Sequence, residues 1–394
     1  MIRGAPRLRA SVCVLVLVLV GLMPSAAAAQ PEQDVGARVT ALGAVLWDPA
    51  DDAVLFGRDA DSPRPMASTT KIMTVLLALE AGAADESLVV SEHAVEVGRT
   101  PGAARLGLHA GQRIAVRSVL AGLILRSGND GAVAVAEHVA GTEEAFVAKM
   151  NARAQELGLA STAFLDSSGL IEDRGHRASP LDLARLAAVA MAFPDFARWA
   201  GADRLDVSGL GVLENRNELI GTYQGATGVK TGYTSLAGLC LVASASRDGR
   251  TLYAVVLDSQ DSFGDAAALL DYGFSAYQRV ELVGEGQRVV AYRWSGDEVD
   301  LFADEPLAKT VPAGSAVMWR TVLDPLARRP VSAGQELGRA EILVDGQVIQ
   351  SVPLRAVRFV PALGPGSPGG AAGAAVQDTL RAFARLHPVD RQAA

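Results

Sequence analysis

The segment Met66-Ala-Ser-Thr-Thr-Lys-Ile-Met73 sets a serine and a lysine three positions apart at the head of an apolar run. Ile72, Met73, Val75, Leu76 and Leu79 continue with helical spacing, which predicts a helix over 68–80 with Ser68 and Lys71 on one face, within reach of each other. Lysine is scarce: it occurs only at Lys71, Lys149, Lys230 and Lys309, and Lys71 is the only one of these with serine three positions before it. Arginine stays protonated, whereas a lysine in a dry, positively charged pocket can give up its proton and act as a base. A serine hydroxyl needs such a base to become a nucleophile. The same short pattern also occurs on ordinary solvated helices, so it does not stand alone as a site.

Two further stretches bear on it. Ser127-Gly128-Asn129 falls between a predicted helix ending near Leu125 and another starting near Asp130. It reads either as a plain Asn-capped turn or as a Ser127 proton relay beside an Asn129 amide that holds a substrate carbonyl. Lys230-Thr231-Gly232 lies inside a predicted strand over 228–234, where glycine often marks close approach of another backbone. A peptide lying along that strand edge would bring its anionic terminus to Lys230 and Thr231. A lysine that merely discourages edge-to-edge pairing is the alternative.

Outward from these stretches, residues 41–57 predict a β-hairpin around a Pro and Asp turn. Helices are expected over 114–125, 130–140, 143–157 and 180–192. Strands return at 228–234, 238–246 and 251–258, the last two joined at Asp248-Gly249, and a helix follows over 262–278. This order implies an α+β domain over 30–277, an antiparallel sheet flanked by helices with a helical block inserted in its middle. Short alternating runs then point to an all-β sandwich over 278–360.

The ends read differently. Arg3, Arg7 and Arg9, an apolar run over 12–22 and Ser25-Ala-Ala-Ala-Ala29 have the order of a secretory signal peptide over 1–29, with a retained anchor as the alternative. Cys13 would leave with it, and Cys240 alone cannot form an internal disulfide. Residues 361–375 are a Gly/Pro/Ala linker, and Val376, Leu380, Phe383 and Leu386 share one face of a short amphipathic tail over 376–394.

Composition excludes some function classes. The net charge is −8, and loss of the three leader arginines would take it to −11, which argues against nucleic acid as a partner. The five histidines form no close ligand pair and no H-E-x-x-H, so neither a metal nor another cofactor is expected.

Taken together and in this order, the three motifs match the S-x-x-K, S-x-N and K-T-G set of serine β-lactamases and penicillin-binding proteins. The chain closely resembles the D-alanyl-D-alanine carboxypeptidases, the low-molecular-mass penicillin-binding proteins of the S11 peptidase family. The likeness runs through Pro65–Thr74, Leu125–Asp130, Glu156-Leu-Gly-Leu159, Ser168-Gly-Leu170, Gly228–Thr234 and Leu241–Ser244, and reaches Pro330–Gly338 in the β domain. It implies a serine DD-peptidase/β-lactamase-like catalytic domain with a β-sandwich behind it, acting on peptidoglycan stem peptides outside the cytoplasmic membrane, with β-lactams as covalent inhibitors. In that reading Ser68 is the acyl nucleophile, Lys71 the general base and Ser127 the proton relay. Asn129, Lys230, Thr231 and Gly232 bind substrate, and the backbone N–H groups of Ser68 and Tyr233 receive the oxyanion. Arg216 falls where some relatives carry an arginine near the substrate carboxylate. Ser262 stands where relatives often have arginine, a departure that bears on carboxylate recognition. Relatives often end in an amphipathic membrane anchor, which Arg381 and Arg385 beside the tail's apolar face would fit.

Other readings use the same residues. A D,D-endopeptidase cutting cross-links would need no different machinery. A β-lactamase would deacylate quickly with a glutamate and an asparagine, but no E-x-x-L-N occurs between Asn151 and Gly221, and Gly128 stands where aspartate is usual. A non-catalytic wall-associated scaffold would have no need of Lys71 or Gly232.

Overall fold

The strands of the first unit alternate so strictly that each face of their sheet acquires its own core. In the computed structural model, which describes residues 31–294, 297–324 and 330–361, five antiparallel strands lie in the order 53–58, 43–48, 250–259, 238–247, 226–234. Val45, Trp47, Val242, Val255 and Leu257 point to one face, and Ala44, Leu46, Leu241, Ala243, Ala254 and Val256 to the other. Burial of both faces requires cover on both sides. The hairpin joining the last two long strands turns at Asp248 (φ 51°) and Gly249 (φ 77°), the left-handed pair that matches strand twist.

On the second face lie α1 (Pro31–Arg38) and α9 (Ser262–Ala276), the latter capped by Asp261, whose carboxylate accepts the Gly264 N–H. The first face carries the inserted helical block: α2 (Lys71–Glu80), α3 (Glu92–Gly98), α4 (Val116–Leu125), α5 (Asn129–Ala140), α6 (Glu143–Glu156), α7 (Pro180–Met191) and α8 (Pro194–Ala200). Local chemistry sets several of their starts. Thr142 caps α6 ahead of Glu143 and Glu144, and Ser179 caps α7 with Pro180 in its first turn.

The structure revises some boundaries. Ser68 does not open an α-helix: Ala67–Thr70 form a 3₁₀ turn, and the α-helix starts at Lys71. Arg113–Ala115 pair as a short strand with Ser87–Val89, so helix α4 begins at Val116 rather than 114. Helix α9 stops at Ala276 because Tyr277 already belongs to a strand. Helices α3 and α8 and the hairpin Arg204–Val207 with Gly211–Glu214 had no counterpart among the sequence expectations.

A division between Gln278 and Arg279 separates two compact units. The second has a five-stranded sheet in the order 288–294, 297–303, 347–356, 336–344, 317–323 and a two-stranded sheet of 277–283 with 307–312. Its core includes Val299, Leu301, Leu337, Ile342, Val352 and Leu354. The whole is the expected α+β architecture followed by an all-β unit. The expectations for residues 1–29 and 376–394, and for the linker after Pro361, lie outside the described residues.

Candidate active site

Three segments converge on α2. The 3₁₀ turn before it carries Ser68, with Ala67 held at φ 47°, a left-handed conformation unusual for a residue with a side chain. Ser68 remains partly accessible, whereas Lys71, one turn on, is fully buried. The Lys71 Nζ lies 2.9 Å from Ser68 Oγ, 2.6 Å from Asn129 Oδ1 and 2.6 Å from the Ser168 carbonyl oxygen.

These contacts decide what the lysine can do. Asn129 Oδ1 and the Ser168 carbonyl can only accept, so they occupy two N–H bonds; the third neighbour, the Ser68 hydroxyl, can accept or donate. A neutral amine satisfies all three, with its lone pair facing the Ser68 proton. Burial pushes the Lys71 ammonium down from 10.5 to about 7; Asp166 and Asp130 oppose the shift and the Arg216 charge adds to it.

The Ser127–Asn129 segment joins α4 to α5. Ser127 is buried with φ 65°, its N–H bonded to the Gly122 carbonyl, and Asn129 is buried at the start of α5. With Oδ1 engaged by Lys71, the Asn129 Nδ2 is left for another acceptor. Asp130 anchors this turn: its carboxylate accepts the N–H groups of Leu106, Gly107 and Leu108, and Asn129 N–H bonds the Ala104 carbonyl at 2.8 Å.

The third segment is the edge strand Ala226–Thr234. A Cβ on Gly232 would sit 3.1 Å from Ser68 N and from Met66 O, so the strand backbone runs close against the nucleophile turn and a side chain there would have to push it back by a few tenths of an ångström. Lys230 is not an exposed edge-strand lysine. It is 1% exposed, its Nζ bonds the Thr231 carbonyl at 2.8 Å, and burial, then Lys71 and Arg216, depress its proton affinity. Thr231 is half-buried, while the Tyr233 side chain is open to solvent and its backbone follows Gly232. Arg216 has an exposed side chain, and its N–H bonds the Leu125 carbonyl at 3.2 Å. Ser262, in contrast, is buried in the first turn of α9.

A fourth segment, residues 163–178, had no role in the motif reading beyond the likeness at Ser168-Gly-Leu170. It crosses the face of the 3₁₀ turn and α2 that carries Ala67, Thr70, Lys71 and Thr74. Thr74 Oγ1 donates to the Ser167 carbonyl at 2.5 Å, and Thr70 Oγ1 meets His176 Nε2 at 2.6 Å. Gly169, at φ 73°, lies so close that a Cβ there would come within 1.9 Å of the Ala67 carbonyl oxygen. Among the described residues no group of three or more His, Cys, Asp or Glu is placed to hold a metal ion.

Residues 26–261 match the family described as D-alanyl-D-alanine carboxypeptidase, and 277–362 match the C-terminal domain of penicillin-binding protein 5. The chain is 32% identical over 371 residues to the D-alanyl-D-alanine carboxypeptidase DacF of Bacillus subtilis, covering 87% of this chain and 93% of that one. It is 32% identical over 351 residues to DacC of Escherichia coli, covering 84% and 86%. The crystal structure of penicillin binding protein 5 from Haemophilus influenzae superposes with a TM-score of 0.69 at 28% identity, over 82% of this chain and 98% of that one. Motifs, fold and relatives agree across both units, and the chain belongs to the D-alanyl-D-alanine carboxypeptidase family, with a C-terminal domain of the penicillin-binding protein 5 type.

Proposed function

We propose that the protein is a serine-type carboxypeptidase that removes the terminal D-alanine from peptidoglycan stem pentapeptides through an acyl-enzyme. The observation that carries this reading is the fully buried Lys71 amine, 2.9 Å from Ser68 Oγ and poised to be neutral near pH 7. Neutral Lys71 takes the Ser68 proton as Oγ attacks the carbonyl of the penultimate D-alanine. The resulting oxyanion is received by the backbone N–H groups of Ser68 and Tyr233, an assignment supported by the approach of Gly232 to Ser68 N. As the tetrahedral intermediate collapses, the C–N bond breaks. The proton passes from Lys71 by way of the Ser127 hydroxyl to the leaving amine, and D-alanine departs. Water then attacks the ester with Lys71 again as base, releasing the shortened peptide and restoring Ser68.

Binding follows from the same geometry. Asn129 Nδ2 donates to a substrate carbonyl. The peptide lies along the edge strand at 230–232, and its terminal carboxylate meets Lys230 and Thr231. That carboxylate would offset the desolvation that depresses Lys230. Arg216 adds an exposed positive charge nearby. β-Lactams would acylate Ser68 by the same attack.

In this reading residues 30–277 are the catalytic domain and 278–360 a non-catalytic β-sandwich. Residues 1–29 direct export, and the tail 376–394 touches the outer face of the cytoplasmic membrane. The test is release of D-alanine from a muramyl pentapeptide ending in D-Ala-D-Ala. Wild type is expected to release it and to be labelled covalently by a fluorescent penicillin, while Ser68→Ala, folded, does neither. Labelling that survives in Ser68→Ala would refute the assignment of the nucleophile.

A further inference from the structure

The base of an acyl-enzyme cycle must be held in place while it gains and loses a proton in each half-reaction, and the segment at 166–171 is built around a single carboxylate. Asp166 Oδ1 accepts the N–H groups of Ser168 and Gly169 at 3.2 and 2.6 Å. Its Oδ2 accepts those of Leu170 and Ile171 at 3.0 and 2.9 Å, and the Ser168 hydroxyl at 3.1 Å. Five donors on two oxygens need a carboxylate, because an amide offers one oxygen and turns a donor toward the others. The closed turn aims the Ser168 carbonyl at Lys71 Nζ, 2.6 Å away.

The far side of the turn is fixed independently. His176 Nδ1 accepts the Leu165 N–H at 3.0 Å, so the ring is neutral with its proton on Nε2, which donates to Thr70 Oγ1; that hydroxyl donates to the Ala67 carbonyl at 2.7 Å. Glu143 Oε1 accepts both the N–H and the hydroxyl of Ser167. Neither of these two reaches Lys71 by a hydrogen bond, whereas Asp166 does so through one peptide unit.

We propose that Asp166 is a positioning residue for Lys71: its carboxylate closes the turn that presents the Ser168 carbonyl to the amine, and it supplies the counter-charge to the ammonium formed during acylation. This rests on Lys71 being the base. Asp130 also favours the ammonium, while Arg216, Lys230 and His176 are the other titratable or charged groups whose fields couple to Lys71. Asp130 and Asp166 both carry a favourable charge, but the Asp130 carboxylate holds the N–H groups of Leu106, Gly107, Leu108 and Gly131, whereas that of Asp166 holds the Gly169 N–H of the very peptide unit whose carbonyl bonds Nζ.

Lysine scarcity makes the test direct. With only four lysines, 13C-labelling at lysine Cε gives few resonances, and the titration of Lys71 can be followed without any turnover. In Asp166→Asn the Lys71 midpoint is expected to fall by about half a unit to one unit, since a favourable charge is lost, and kcat/KM for D-alanine release to fall about tenfold or more. A carboxylate that served only the stability of the fold would lower Tm and leave the Lys71 midpoint where it is in wild type, so an unmoved or raised midpoint overturns the proposal. Should Asp166→Asn fail to fold, Asp166→Glu keeps the charge but misplaces the turn. It is expected to leave the midpoint near that of wild type and to lower kcat/KM, and full activity in this variant overturns the proposal. A wild type that releases no D-alanine yet shows the Asn-induced fall would instead count against the substrate assignment alone.

Discussion

Lys71→Met should change how the stability of residues 31–278 depends on pH. Wild-type Lys71 has its proton affinity lowered from 10.5 to about 7 by burial, so between these values the unfolded chain holds a proton that the folded chain has released. Wild-type stability at this site therefore rises with pH, by linkage. Relative to an unperturbed lysine, the buried amine destabilises the folded state by about 4 kcal/mol at pH 7 and about 2 kcal/mol at pH 9. Methionine has a similar volume and no charge. It leaves Asn129 Oδ1 and the Ser168 carbonyl without their donor, a penalty that hardly depends on pH. The measurable quantity is thus the difference in unfolding free energy between Lys71→Met and wild type, which should shift in favour of wild type by about 2 kcal/mol from pH 7 to pH 9. Relief of Lys230, whose proton affinity Lys71 depresses, acts in the same direction. Urea unfolding read by pulsed thiol labelling at the buried Cys240 reports on this unit alone. A difference that is flat across this range would mean that folded Lys71 titrates like an exposed lysine, and the case for a neutral base would collapse.

Three other perturbations follow from the same geometry. Gly169→Ala puts a Cβ against the Ala67 carbonyl at a positive φ, and thermal unfolding should register a loss of about 2 kcal/mol or more together with activity. Gly232→Ala meets Ser68 N and Met66 O at 3.1 Å, so a small backbone shift accommodates it; Tm should fall by only a few degrees, while penicillin acylation slows by about 100-fold through the misplaced oxyanion donors. Arg216→Ala removes an exposed charge: KM should rise by roughly tenfold with little change in kcat. The acid limb of its pH–rate profile should move to higher pH, because Arg216 holds the Lys71 proton affinity down. A limb that moved to lower pH would contradict this arrangement.

Much of the fold was legible because its signals are local. Apolar runs bounded by turn residues marked the sheet strands, Asp248-Gly249 marked the hairpin, and the helical spacing after Ser68 marked α2. What was missed has weak or non-local causes. Helices α3 and α8 are one to two turns long, too short for a periodic signal, and the 3₁₀ turn at Ala67–Thr70 depends on packing against Gly232 and Gly169. Among the site residues, Ser68 and Lys71 were readable because they lie one turn apart. Asp166 and His176 gave no chemical signal: Asp166 bonds the N–H groups of Ser168, Gly169, Leu170 and Ile171 just after it in the chain, which any turn could use, and His176 bonds Thr70, which only folding brings to it.

The sequence by itself determined which chemistry was available: a serine three residues before a rare lysine, a Ser-Gly-Asn turn between helices, and a Lys-Thr-Gly strand, in the order shared by serine β-lactamases and penicillin-binding proteins. Only the tertiary structure decided whether that chemistry is poised. Lys71 shifts toward neutrality because α2 is buried beneath Asn129 and the 163–178 segment, and water is excluded from its amine. Proton affinity depends on solvation and on charges brought in from residues distant along the chain, and those distances exist only after folding.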